Sequence, residues 1–209
     1  VANTNIPIGI KPLYMAEAQK TAMILPITNN YGTALYHFDP AIGVTAGRIE
    51  RGGTTGAWLG VILGLYRQET PKSLRSERLF PVQYMGASPG ATYEYFALVT
   101  MDPNLFFIMM EDGDTSSLMI TDNWGACDVA FGTANTTTGI GNCQIDSDSA
   151  DNTATRPIQL IFPAVNHYDI DAGAYMAVSA AGAASNYGKW IVRIFNSQLG
   201  SGSLAVALA

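Results

Sequence analysis

DPNLFFIMMEDGD (residues 102–114), SLMITDNWGACDVAFG (117–132) and TANTTTGIGNCQIDSDSADNTATRPIQLIF (133–162) stand in near succession within a chain of 209 residues. Short apolar runs alternate here with clusters of Gly, Asn, Asp, Ser and Thr, the pattern of compact antiparallel β-structure. Working outward, strand-like runs are predicted at 57–66, 78–85, 92–100, 105–111, 117–120, 126–131, 157–162 and 189–196. Turn signals separate them at 86–90, at Asp102-Pro103-Asn104 and at Asp112-Gly113, the last a tight-hairpin signal. The plausible helical pieces are short, such as Pro12 to Thr21, and Ala57 to Tyr66 reads as a buried strand or a short helix, its Val, Ile, aromatic and glycine content favouring strand. Strands at this spacing, with no helical pattern between them, predict an all-β fold: an antiparallel β-sandwich or barrel, jelly-roll-like, with few short helices.

Residues 1–56 read differently. Pro7, Pro12, Pro26 and Pro40 interrupt them, and their apolar side chains are scattered rather than periodic, so the segment cannot make a core of its own. It is too apolar for a solvated tail. The expectation is an extended N-terminal arm (1–56) that buries its side chains on another surface, either its own domain or a neighbouring subunit, followed by a β domain (57–199) and a C-terminal tail (200–209). Removal of residues 1–30 is then expected to leave the β domain folded.

Charged residues make up 13% of the chain, about half the usual share, which implies that much of the surface meets other protein. The net charge of −6 argues against a nucleic-acid partner, because phosphates demand cations. The charge is uneven: residues 1–100 carry +2 and residues 101–209 carry −8. A basic face that docks and an acidic face toward water fit that asymmetry. The apolar run Ala57 to Tyr66 spans ten residues, too short for a bilayer, and residues 1–20 lack a signal-peptide pattern. A soluble protein made in a cytoplasm is expected, without a membrane partner.

Catalytic constellations are hard to assemble. The two histidines, His37 and His167, sit among aromatics and read as structural. There is no GxSxG elbow, Gly188-Lys189 lacks the earlier glycine of a phosphate loop, and Gly139-Ile140-Gly141 lacks the third glycine of a dinucleotide fingerprint. Asp146, Asp148 and Asp151 begin like a calcium loop, but Asp151 stands where glycine is required and Pro157 where the closing Glu belongs. A solvated loop bonding its own backbone fits better, and Asp169-Ile170-Asp171 reads likewise. Asp112 and Asp128 are the carboxylate pair that a hydrolytic reading would use, and it ranks last. Cys127 and Cys143 read as small buried residues, with a cross-strand disulfide as the alternative. No catalytic residue, cofactor or metal ligand is assigned.

The order of features in the second half carries a resemblance. It runs Asp102-Pro103-Asn104, Asp112-Gly113, Trp124-Gly125-Ala126 leading to Asp128, Thr136-Thr137-Thr138-Gly139, an Asp/Ser/Thr-rich turn to Thr155, Gln159-Leu160, and a closing Lys189-Trp190-Ile191-Val192-Arg193-Ile194-Phe195-Asn196-Ser197-Gln198. Over residues 80–199 this resembles the capsid decoration, or cement, proteins of tailed bacteriophages, especially those of cyanobacteria and marine bacteria. The resemblance implies a β-rich structural virion protein, often a trimer, on the outer surface of the capsid, where it staples neighbouring major capsid subunits and stabilises the shell. A virion fibre or receptor- or glycan-binding β module is the alternative, although neither internal repeats nor a helical stalk is visible. The expected docking cations are Arg48, Arg51, Arg67, Lys72, Arg75 and Arg78, and the expected arm anchors are Ile6, Ile8, Leu13 and Tyr14.

Overall fold

The computed structural model describes residues 8–29, 31–69, 79–80, 83–84, 93–113, 118–164, 168–169, 174–175 and 187–199. In chain order the strands of the first half are β1 (Lys11–Pro12), β2 (Ala22–Pro26), β3 (Leu35–Tyr36), β4 (Pro40–Val44), β5 (Arg48–Arg51), β6 (Gly60–Glu69), β7 (Leu79–Phe80), β8 (Gln83–Tyr84) and β9 (Tyr93–Thr100). Those of the second half are β10 (Phe106–Met110), β11 (Ala126–Cys127), β12 (Val129–Phe131), β13 (Cys143–Ile145), β14 (Ile158–Pro163), β15 (Tyr168–Asp169), β16 (Ala174–Tyr175) and β17 (Lys189–Ile194). The helix α1 (Met15–Lys20) falls inside the predicted 12–21 segment.

The strands make an antiparallel, all-β sandwich. One sheet has the order β1-β10-β17-β14-β11, and the other runs β2-β9-β6-β4-β5 with β7 beside β6. A lone parallel bridge between Ile27 and Ile49 draws the two ends of the larger sheet together, yet no closed barrel forms among the described residues. Of the two predicted architectures, the sandwich is the one observed.

Alternation of side chains along the strands explains the layering. On β10, Phe107 and Met109 face one way and Ile108 the other; on β17, Trp190, Val192 and Ile194 oppose Ile191. The first set, with Ile158 and Leu160 of β14, meets Ile10, Trp58, Val61 and the hairpin β12-β13 in the main core. A second core lines the larger sheet with Leu35, Ala41, Ile49, Ile62, Leu65, Ala97 and Val99. A third, small cluster lies on the outward side of the five-stranded sheet, where Ile108, Ile161, Ala164 and Ile191 are covered by Ile8 and Leu13. Full burial of one such side chain contributes roughly 1.5–3 kcal/mol, so the main core dominates.

Polar ties fix the two sheets to each other. Asp102 accepts a hydrogen bond from the Asn104 amide at 2.9 Å, closing the turn that carries the chain from β9 in one sheet to β10 in the other. Beyond β17, the Gln198 side chain accepts from the Gly43 amide at 2.7 Å, and the Trp58 amide donates to the Asn196 carbonyl at 2.9 Å. The end of the chain is thus sewn to β4 and to the start of β6.

Several sequence expectations change. Residues 8–56 are no separate arm: β1 pairs with β10, β2 with β9, and β4 with β5 and β6, so no boundary falls at residue 57. The partners of β1 and β2 lie about 70 to 100 residues away, where local periodicity gives no hint, and the segment packs on its own domain. Asp112-Gly113 closes no hairpin, because β10 has β1 and β17 as neighbours and Asp112 donates its amide to Ile145. Residues 118–119 are not a strand, and 120–122 form a 3-10 turn. The run 126–131 breaks at Asp128 into β11 and β12, which enter different sheets. The tail 200–209 lies outside the described residues.

Removing residues 1–30 takes away β1 and β2 together with Ile10 and Ile27, and is expected to abolish the cooperative urea transition read by circular dichroism. A truncated chain with a near wild-type midpoint contradicts the integrated fold. At the start of β6, a Cβ on Gly60 would collide with the Thr100 carbonyl oxygen. Gly60→Ala is accordingly expected to cost about 3 kcal/mol, measured by the same unfolding.

Candidate functional site

The expected docking cations among the described residues are committed within the chain. Arg48 on β5 donates to the Ile27 carbonyl at 2.8 Å and to Asn29 Oδ1 at 3.0 Å, and pairs with Glu94 at 3.4 Å. Arg51 lies 4.4 Å from the centre of the Phe131 ring, a cation–π contact. Arg67 on β6 is half-buried and is not a free cation. Lys72, Arg75 and Arg78 lie outside the described residues. Arg48 and Arg51 share β5 but face opposite sides of it, Arg48 bracing the larger sheet and Arg51 meeting Phe131 of β12.

Of the arm anchors, Ile8 and Leu13 cover the outward side of the five-stranded sheet of their own domain, Tyr14 is exposed, and Ile6 lies outside the described residues. The acidic candidates disperse. Arg156 grips Asp151 with two nitrogens, Nε at 2.7 Å and Nη2 at 2.8 Å, and reaches Asp128 at 2.6 Å. These bonds from Arg156, joined by the Thr153 amide, hold the Asp151 carboxyl well below the usual carboxylate range. Asp112 accepts from the Ser147 amide and hydroxyl at 3.2 and 3.0 Å, so Asp112 and Asp128 each serve a loop. No group of three or more metal-ligating side chains converges among the described residues. The side chain of Asp169, and all of Asp171 and His167, lie outside them.

Cys127 and Cys143 are free and buried in the main core. Burial pushes the Cys127 thiol up to about 12 and raises Cys143 as well, which keeps both protonated and unreactive. His37 acts through its backbone, donating to Gly139 at 2.9 Å and accepting from Gly141 at 2.8 Å.

Two buried carboxylates escaped the sequence reading. Glu111 accepts from the Gly188 and Leu118 amides, each at 2.9 Å, and so ties β10 to the entry of β17. Asp39 accepts from the Tyr36 amide at 3.0 Å and packs against Gly141, where a Cβ would touch its Oδ1. Desolvation pushes the Asp39 carboxyl up to about 7, opposed by the Tyr36 hydrogen bond and by the charge of Arg51. The Tyr-His-Phe-Asp-Pro run gives no periodic signal that would separate a buried Asp from a turn Asp.

The feature that stands apart chemically is a set of large apolar side chains left in solvent on ordered backbone. Phe106 on β10 is 43% exposed and Phe162 on β14 is 50% exposed, while Trp124, in the turn before the edge strand β11, reaches 64%. Trp124 has φ 72°, the left-handed region that costs a side-chain-bearing residue about 1 kcal/mol or more. Its amide donates to Leu160 at 2.9 Å and its carbonyl accepts from Gln159 Nε2 at 2.9 Å, so the ring is displayed by a fixed turn. In the sequence Trp124-Gly125-Ala126 is only one landmark of the resemblance, and its Asp-Asn-Trp-Gly setting is the available signal for a turn-tip aromatic.

Because the folded-state value of Asp39 is raised, its protonation favours folding. That contribution is fully present below its ordinary value of 3.8 and is lost as pH rises through about 7, an amplitude of roughly 4 kcal/mol. The stability difference between wild type and Asp39→Asn, from urea titrations at pH 4 to 8, is expected to change progressively against wild type as pH rises. A difference independent of pH contradicts the burial argument.

Compared with protein-family models, with curated proteins and with solved structures, the chain matches none of them.

Proposed function

We propose that this chain is a structural virion protein: a capsid decoration (cement) protein that binds the outer surface of a phage head and staples neighbouring major capsid subunits. It acts through contact area and not through chemistry, as a homo-oligomer with a trimer favoured, and needs no cofactor. The observation that carries the reading is the display of Phe106, Trp124 and Phe162 on ordered strands and turns in a chain of only 13% charged residues. Ordered apolar patches rimmed by polar groups mark surfaces that other macromolecules cover. The buried carboxylates and thiols serve the fold, and what remains for partners is surface.

The β-sandwich suits the task. Its strands are held from both ends of the chain, so a load applied to one edge is shared across both sheets through the Gln198–Gly43 and Trp58–Asn196 ties. Burial at about 25 cal/mol per Å² before ordering costs, repeated over many copies, accumulates into resistance of the shell to internal pressure.

Light scattering of the purified protein, followed by co-sedimentation with bare capsid shells, tests this directly. A trimer that pellets with shells is the expected result. A protein that stays in the supernatant with shells yet binds glycans or cells overturns the reading in favour of a receptor-binding module.

A further inference from the structure

The register of the five-stranded sheet sets out its outward face row by row. Phe106, Arg193 and Gln159 lie side by side across β10, β17 and β14, and the next row holds Lys11, Ile108, Ile191 and Phe162. The aliphatic members of the second row are nearly buried, whereas the rings of Phe106 and Phe162 stand in solvent. Gln159 links the rows to the edge: its oxygen accepts from Arg193 Nε at 2.8 Å and its amide holds the Trp124 carbonyl at 2.9 Å. Arg193, Gln159 and Trp124 thus form one braced line across the sheet. Tyr14, 65% exposed, follows Leu13, whose amide donates to the Phe106 carbonyl at 2.9 Å.

Charge on this face runs against the rest of the molecule. The chain carries −6 overall, yet among the described residues of these strands the charged side chains on the outward rows are the cations Lys11 and Arg193, with Lys189 buried further along. Trp, Tyr and Arg are also the residues in which binding energy concentrates at protein interfaces, and a flat sheet face suits a protein surface better than the concave sites that small ligands occupy. Two copies meeting through this face would set Lys11 and Arg193 of one against those of the other, a like-charge arrangement that disfavours pairing.

We propose that the outward face of the five-stranded sheet, centred on Phe106, Arg193 and Phe162 and bounded by Trp124, docks on an acidic protein surface of the shell, whose apolar side chains cover the rings while its carboxylates meet Arg193 and Lys11. This rests on the capsid-binding reading and names the surface and the partner chemistry for it. It assigns the docking role to cations other than Arg48, Arg51 and Arg67.

The test is co-sedimentation of the full chain with bare shells at several salt concentrations, using Trp124→Ala, Phe162→Ser and Arg193→Glu, with Ile24→Ser, on the exposed strand β2, as the control. The expected result is a tenfold or greater loss of shell affinity for each of the three variants, a weaker salt dependence for Arg193→Glu, and wild-type binding for the control. Circular dichroism establishes that each variant is folded; Phe162→Ser and Trp124→Ala alter exposed rings, so both are expected to keep the wild-type unfolding midpoint. Wild-type protein that pellets while all three folded variants pellet equally well overturns this face and leaves the capsid reading standing. Wild-type protein that never pellets overturns both. An oligomer of the protein alone that Trp124→Ala dissolves gives the face to a second copy and overturns the partner assignment.

Discussion

A sheet whose strands are apolar on both sides has to be covered twice, and the five-stranded sheet is of that kind. Its inward side is satisfied by the main core, where Trp58, Trp190 and Phe107 are almost wholly removed from water. Its outward side receives less. Ile8 and Leu13 cover Ile108, Ile161 and Ile191, but Phe106 and Phe162 stay open to solvent. The same alternation that builds the fold therefore leaves an apolar area without a partner, and the incomplete cover links architecture to function.

The N-terminal residues belong to this constraint. They supply an outer strand to each sheet, β1 and β2, and place Ile10 in the main core, Ile27 in the second and Leu13 on the outward cluster. Polar groups follow the same logic. Glu111, Asp39 and Gln198 each accept backbone amides far away in sequence or at a tight turn, so that burial of a charge or an amide is matched by hydrogen bonds. Cations are used in the same way: Arg48 and Arg156 each brace two segments.

What the sequence made legible was local. Alternation at 105–111, 157–162 and 189–196 located β10, β14 and β17 within a residue or two, because in-and-out burial leaves a period-two trace. The short helix Met15–Lys20 falls inside the helical segment 12–21 but begins later than Pro12. Pairing over long distances was not: nothing in Ala22–Pro26 announces that its partner is Tyr93–Thr100, and the Pro-rich first quarter therefore looked like an arm. Asp112-Gly113 had the composition of a hairpin but not its neighbours. The candidate surface was half legible. Low charge pointed to a covered surface, while the choice of Arg193 over Arg48 depends on which cations the fold leaves facing outward.

Hydroxyl-radical footprinting of side chains, with and without bare shells, probes the central claim most directly, since it reads Phe106, Trp124 and Phe162 separately in the wild-type protein. The account predicts that these three rings lose reactivity on the shell while Met23 and Ile24 of β2 keep theirs. Rings that stay fully reactive on shell-bound protein would contradict it.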